Sequence, residues 1–348
     1  MKKRRPFDRR RFARFLSRAV LLLTAARAAA ADPVVIRLGT ILPSGTAQHV
    51  LLQELGETWR KESLGAVKLT LYPDGRLGGE AEMVKKLRIR QINAGLFSAV
   101  GLAEIDSGAR GLQVLPLAFR SWAEVDYVRE RIRPLLEERL RAKGYEVLFW
   151  ADAGWVRFFS KTAAVAPDDY RRMKIFAWAG DPDQLALMQS TGFQPVPLET
   201  GDILLGLNTG MISAVAVPPL IGLAGQFYRP APHMLEMNWA PIVGAAVVRS
   251  DVWEKIPPSL RERLRASGAS VGEKLRARGR FESDEAVRAM QQHRLQVHPL
   301  TPAAETAWHE VAAVIRSRVR GTSVPADVFD AVEQHLRDFR AAATATTR

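Results

Sequence analysis

The 348-residue chain contains no cysteine, which excludes disulfide staples and the thiol that a lipid anchor would need. That absence does not identify a compartment, because a chain of this length buries enough core to be stable without cross-links. Long hydrophobic runs are also missing: the apolar stretch Ala19–Ala26 falls well short of the roughly 20 residues that span a bilayer. The familiar catalytic signatures are absent too. There is no G-x-S-x-G, no Walker loop and no G-x-G-x-x-G following a strand. The six histidines, His49, His233, His293, His298, His309 and His335, show no H-E-x-x-H or other ligand spacing. Asp181-Pro182-Asp183 reads as a helix start and not as paired catalytic carboxylates. No internal repeat or low-complexity linker appears. No catalytic residue, metal or cofactor is therefore expected.

What is present is a globular composition, 47% hydrophobic and 25% charged, at a length that suggests two domains. The formal charge of +13 invites a nucleic-acid reading, but the excess is badly distributed. Residues 1–31 hold ten of the 50 basic residues and one of the 37 acidic ones, which leaves 40 against 36 in the remainder. A body this mildly basic argues against nucleic acid as a partner.

The basic N-terminus, the apolar run and Ala28–Ala31 before Asp32 together read as an export signal over residues 1–31. Arg9-Arg10-Arg11-Phe12 resembles a twin-arginine signal, with Asp8 in place of the usual Ser or Thr and Ala13 in place of Leu. The expected location is the periplasm. An uncleaved N-terminal anchor is the other reading of this segment.

Beyond the signal, strand and helix patterns alternate. Val34–Gly39, Val67–Tyr72, Ile92–Ala99 and Tyr145–Trp150 read as strands, with amphipathic helices between them. Pro73-Asp74-Gly75 is a turn in which Pro fixes φ and Gly supplies positive φ. Alternation of this kind predicts an α/β class with mostly parallel pairing. A second α/β unit runs from about Gly154 to Trp239, Ile242–Arg249 returns as a strand, and the chain after Pro257-Pro258 is overwhelmingly helical. The centre of the chain is Arg172–Trp178, an extended segment after the polar turn Ala166–Tyr170. Its aromatic end precedes a helix, where open α/β sheets bind ligands.

Six stretches in register resemble the solute receptors of TRAP transporters, the DctP-like family. Tyr72-Pro73-Asp74-Gly75-Arg76-Leu77-Gly78-Gly79-Glu80 resembles the family's Y/F-P-x-G-x-L-G-G-E segment. Leu115–Val125, Ala142–Leu148, Gly192–Pro197, Leu207–Gly210 and Ser250–Pro257 follow in the family's order. The likeness covers nearly all of residues 34–340. It implies a two-lobed fold of the periplasmic binding protein type II kind, with a ligand cleft between the lobes and a helical C-terminal region. Residues 32–153 and about 240–258 would form lobe I and residues 154–239 lobe II, with bridging and packing helices over 259–348. The implied function is capture of a small organic ligand by hinge closure and its delivery to the membrane subunits of a TRAP-type permease. The alternative is a periplasmic sensing or partner protein on the same fold without transport.

The resemblance also implies a ligand site, and this chain departs from it. The family places a carboxylate-gripping Arg where Phe176 stands, and a second Arg where Val156 stands. Arg157 is one residue late, which in a strand points it to the other face unless the strand bulges. The polar segment after Leu207–Gly210 is here the apolar Ile212–Pro219. Thr200 and Asp202 either line the pocket or cap a helix, the cap being the plainer reading. With the fixed cation gone, a dicarboxylate would be desolvated and unpaired. The expected ligand is therefore less charged than a dicarboxylate, and aromatic or aliphatic. The residues expected to meet it are Trp155, Arg157, Phe176, Trp178, Thr200 and Val217.

Overall fold

The computed structural model describes residues 32–346, so the expected export signal lies outside the described residues. The first half opens with β1 (Val34–Thr40), α1 (Ala47–Glu62) and β2 (Val67–Tyr72). The Thr46 hydroxyl accepts from the His49 N–H at 3.3 Å and caps α1. Next come α2 (Glu80–Arg88), β3 (Ala94–Ser98), the short α3 (Ala99–Ala103) and a 3-10 turn over Ser107–Leu112. The long α4 (Trp122–Ala142), capped by Ser121, leads into β4 (Tyr145–Trp155).

The second half contains β5 (Arg157–Ser160), α5 (Pro167–Arg171), β6 (Lys174–Trp178), α6 (Pro182–Ser190) and β7 (Gln194–Leu198). It continues through α7 (Ile203–Thr209), β8 (Ala214–Val217), α8 (Pro219–Ala224) and β9 (His233–Glu236). Then β10 (Pro241–Arg249), α9 (Ser250–Trp253), the 35-residue α10 (Pro258–Gln292), β11 (Gln296–Pro299), α11 (Pro302–Val319) and α12 (Ala326–Thr346) complete the chain. The expected polar turn at Ala166–Tyr170 is instead the first turn of α5. Pro167 suits that position, and the Asp169 carboxylate accepts the free N–H groups of Val165 and Ala166 at 3.0 and 2.9 Å.

Two sheets form, in the orders β2-β1-β3-β10-β4 and β11-β9-β5-β8-β6-β7. The expected mostly parallel pairing needs correction: both sheets are mixed. β10 lies antiparallel between β3 and β4, and β5 lies antiparallel between β8 and β9. The cause is the chain path. β5 enters the second sheet directly from β4, and β10 returns from the second half to fill a gap in the first sheet. The two passages run side by side, with Val156 N–H donating to the Ala240 carbonyl at 2.8 Å and Trp239 N–H to that of Val156 at 3.1 Å. The result is two lobes joined by a short antiparallel ribbon.

Helices tie the lobes as well. α10, about 52 Å long at 1.5 Å per residue, begins against lobe I, where Leu264 packs with Trp59, Leu148 and Trp253. Its far end places Ala286, Val287 and Met290 in the lobe II core beside Phe159, Phe176 and Val215. α11 buries Trp308 among Phe158, Tyr170, Phe193 and Trp239, and its indole N–H donates to the Val165 carbonyl at 2.8 Å. α12 returns to lobe I, where Arg340 forks onto the Glu124 carboxylate at 2.8 and 2.9 Å. No helix among the described residues is long and apolar enough to cross a membrane.

The α10–β4 contact is backbone against backbone. A Cβ on Gly272 would come within 2.9 Å of the Trp150 carbonyl oxygen, and one on Gly279 within 2.4 Å of that of Asp152. Main-chain atoms cannot swing aside, so Gly279→Ala should push the helix off the strand. The expected loss is about 1–3 kcal/mol, the usual cost of overpacking. Urea unfolding should show a lower midpoint with an unchanged slope, and an unchanged midpoint would refute this account of the contact.

Candidate functional site

Parallel strands present their carboxyl ends on one edge, and in both lobes that edge faces the other lobe. Thr40, Ser98, Trp178 and Val217 stand at the ends of β1, β3, β6 and β8, and all four line cavities between the sheets. This is the crevice where open α/β sheets take up ligands. Gly79 at the start of α2 lies against the Glu199 carboxylate, and Gly180 lies against Ala81, so the lobes touch across the mouth.

The crevice is divided into two chambers. One, of about 140 Å³, is walled by Phe158, Ile175, Phe176, Met188, Phe193 and Trp239. The other, of about 150 Å³, is walled by Ile41, Leu96, Phe97, Leu220, Ile221 and Leu275. Gln113, Trp178, Val217, Pro218 and Ile242 belong to both and form the partition. A cavity of about 150 Å³ lined by apolar side chains holds a single aromatic ring.

Polar groups are few, and most are already engaged. Arg110, in the 3-10 turn of lobe I, is the only cationic residue lining either chamber among the described residues. Its Nη1 and Nη2 donate to Oδ2 and Oδ1 of Asp181 in lobe II at 3.0 and 2.8 Å. The two side chains are only 6% and 2% exposed. This planar fork on a planar carboxylate crosses the crevice, and Asp183 adds a second carboxylate at 4.0 Å. Asp181 also caps α6 by accepting from the Gln184 N–H at 3.1 Å.

In the second chamber Glu80 accepts from the Ser98 N–H, the Ser98 hydroxyl and the Gly101 N–H at 2.7, 2.6 and 3.0 Å. Burial pushes its carboxyl up, and those donors only partly offset the effect. Asp152 is held from behind by Arg129 at 3.2 Å and by the Arg280 Nε at 3.0 Å. Among the described residues, two amide oxygens of the chamber lining have no partner. The Oε1 atoms of Gln113 and Gln48 are buried and unbonded, although Gln48 Nε2 donates to Glu282 at 3.0 Å. Among the described residues no cluster of His, Asp and Glu is arranged to hold a metal ion.

The expected site residues divide into two groups. Phe176, Trp178 and Val217 line the first chamber, and Trp178, Val217 and Thr200 line the second. Val156 also lines the first chamber, at the position where the resemblance would put an Arg. Neither Thr200 nor Asp202 makes a cap hydrogen bond, so the cap reading of Thr200 does not hold.

Trp155 and Arg157 line neither chamber. Trp155 is buried in the main core on the side away from the chambers and packs on Trp122, with ring centroids 4.7 Å apart. Arg157 sits between Val156 and Phe158, both of which line the chamber, and the pleat sends it the other way. The β5–β8 register is regular, without the bulge that would turn it inward. Burial depresses the Arg157 guanidinium, opposed by the charges of Asp284 and Glu236.

The polar residues of the crevice were not found from sequence. Arg110 gave one usable signal, a lone charge between Gly108-Ala109 and Gly111-Leu112, where a buried guanidinium needs a partner. The partner lies 71 positions away and bears the marks of an ordinary helix cap.

This geometry, a two-lobed α/β body with an enclosed crevice at the strand ends, defines a solute-binding protein. The sequence profile of the bacterial extracellular solute-binding proteins, family 7, matches residues 38–319, and the chain belongs to that family. One relative is the C4-dicarboxylate-binding periplasmic protein DctP of Rhodobacter capsulatus, 23% identical over 84% of this chain and 88% of the relative. Among solved structures, a TRAP periplasmic solute-binding protein from Ralstonia eutropha H16 with bound (S)-2-acetolactate superposes with a TM-score of 0.81. It is 17% identical and covers 88% of this chain and 99% of its own. A counterpart from Desulfovibrio salexigens with bound orotic acid gives a TM-score of 0.79 at 16% identity, over 88% and 99% of the two chains. The structural likenesses establish the fold, and the family's members are by description extracellular.

Trp178 carries the most weight as a site residue, because it belongs to both chambers and contacts Phe176 edge-on at 5.1 Å. Trp178→Ala should merge the chambers and weaken capture of a bound ring-sized molecule by about tenfold or more, the scale of one lost aromatic contact with its buried area. The unliganded melting temperature should fall only slightly, since Trp178 is only partly buried. Titration calorimetry and melting curves on the same protein would separate the two effects, and unchanged affinity would remove Trp178 from the site.

Proposed function

We propose that this protein captures a small organic ligand in the two-chambered crevice, outside the cytoplasm, and presents it to the membrane subunits of a TRAP-type permease. The observation that carries this reading is the enclosed apolar crevice between the lobes of a family 7 solute-binding chain. Capture proceeds by hinge closure. The lobes open and close about the ribbon at Trp155-Val156 and Trp239-Ala240, and the closed form is the one a permease distinguishes. Gly154 sits at this ribbon with φ of +110°, a conformation that side-chain-bearing residues rarely adopt. Export through the signal in residues 1–31, of twin-arginine type, is part of the same proposal.

The ligand is less charged than a dicarboxylate. Phe176 and Val156 occupy the positions where the family resemblance would place guanidinium groups, and the crevice has one cation already paired. The relative from R. capsulatus is named for C4-dicarboxylates, so ligand choice is where this chain departs from that protein. Native mass spectrometry of the exported protein, purified without unfolding, should reveal a co-purified small molecule. In melting assays succinate and malate should leave the transition where it is, while small aromatic or aliphatic compounds raise it. A large stabilisation by succinate or malate, with none from the apolar compounds, would overturn the ligand assignment.

A further inference from the structure

We infer that Asp181 is a built-in stand-in for a ligand carboxylate, so that the crevice selects uncharged, ring-sized molecules bearing a hydroxyl group. The inference deepens the receptor reading above and rests on it for the identity of the site. Arg110 has the attributes of an anion grip: a buried guanidinium on a chamber wall, its fork aimed across the crevice. Both fork nitrogens are taken by one carboxylate of the opposite lobe, at the distances of a charge-assisted pair. A ligand carboxylate would have to displace a group held in place by the chain itself, and would then leave Asp181 buried and unpaired. It would also approach Asp183, 4.0 Å from the same guanidinium. No second cation lines either chamber among the described residues. Anionic ligands are disfavoured on each of these counts.

An uncharged ligand meets none of these obstacles, and the crevice contains an unmet need that such a ligand fills. The Gln113 Oε1 atom is buried without a hydrogen-bond partner, on the partition common to both chambers. A buried acceptor left unpaired is costly, and a donor from the ligand would relieve it. A hydroxyl can donate or accept, so it pairs with the amide of Gln113 in either orientation. Around that point the walls are aromatic and aliphatic, and each chamber has the volume of one ring.

The test compares benzyl alcohol with benzoate, which share a ring and differ in charge. The proteins are the full exported wild type, Asp181→Asn, Asp181→Ala and the double variant Arg110→Met/Asp181→Ala. Asp181→Asn keeps an oxygen for the α6 cap and so remains foldable should the alanine variant fail. By calorimetry and melting, the wild type should bind benzyl alcohol about tenfold or more better than benzoate, the scale of one charged hydrogen bond. Both Asp181 variants should reverse that preference, benzoate restoring part of the lost melting temperature. The double variant, which lacks the guanidinium, should show no rescue by benzoate.

Wild type that binds benzoate as well as benzyl alcohol would overturn the inference. So would a folded Asp181 variant that is indifferent to benzoate. Benzoate rescue reads Arg110 directly and does not need the natural ligand. Rescue of the variants, with a wild type that binds benzyl alcohol but is exported and purified without any bound small molecule, would therefore leave this inference standing and sink the receptor reading instead.

Discussion

A charge taken out of water must take its partner with it, and in this molecule the partner of Arg110 arrives from the other lobe. The guanidinium sits in a 3-10 turn of lobe I and its carboxylate follows β6 in lobe II. Neither side chain can be solvated while the lobes are together, so the geometry of the pair and the separation of the lobes are set jointly. The same logic recurs behind the crevice. Asp152, near the end of β4 as it runs into the ribbon, is buried against Arg129 from α4 and Arg280 from α10. Asp126 reaches both of those arginines and completes the network. The elements that must hold the ribbon in place are thus tied by charges that have nowhere else to go.

Packing supplies what the ion pairs cannot. α10 lies on β4 with glycines at the contact, and the aromatic group around Trp308 joins α11 to β5, α5 and the ribbon residue Trp239. The chamber walls belong to these same clusters: Phe158, Ile175 and Phe193 face the first chamber and also pack in the main core. A crevice built this way is a gap in a close-packed interior, whose shape is fixed by the residues that stabilise the fold.

Much of this was legible in the chain itself. Periodicity located the long helices and most strands, because amphipathic spacing follows directly from burying one face. Phe176, Trp178 and Val217 were legible as crevice residues because strand ends in an α/β sheet have one place to point. The pairing directions were less accessible. β10 and β5 are antiparallel because of where the chain crosses between lobes, and nothing within either strand records that. Trp155 and Arg157 fall outside the chamber walls for a local reason: neighbouring positions on a pleated strand face opposite ways, so one step in register separates the wall from the packing behind it. Arg110 and Asp181 stayed hidden because a pair so far apart in sequence leaves no periodic trace, and Asp181 at the start of α6 already had a sufficient explanation as its cap.

The position of β10 also bears on how the molecule assembles. In the first sheet β10 lies between β3 and β4, yet it is made some 90 residues after β4. Until Pro241–Arg249 arrives, β3 and β4 each present an unpaired apolar edge, the kind that joins with other chains. The first sheet therefore cannot close when β1 to β4 are complete; it waits until the whole of lobe II has been made. Assembly is bound to be dominated by contacts distant in sequence, a topology that folds slowly. A chain of this order gains from being held unfolded, or shielded, until its last third is available.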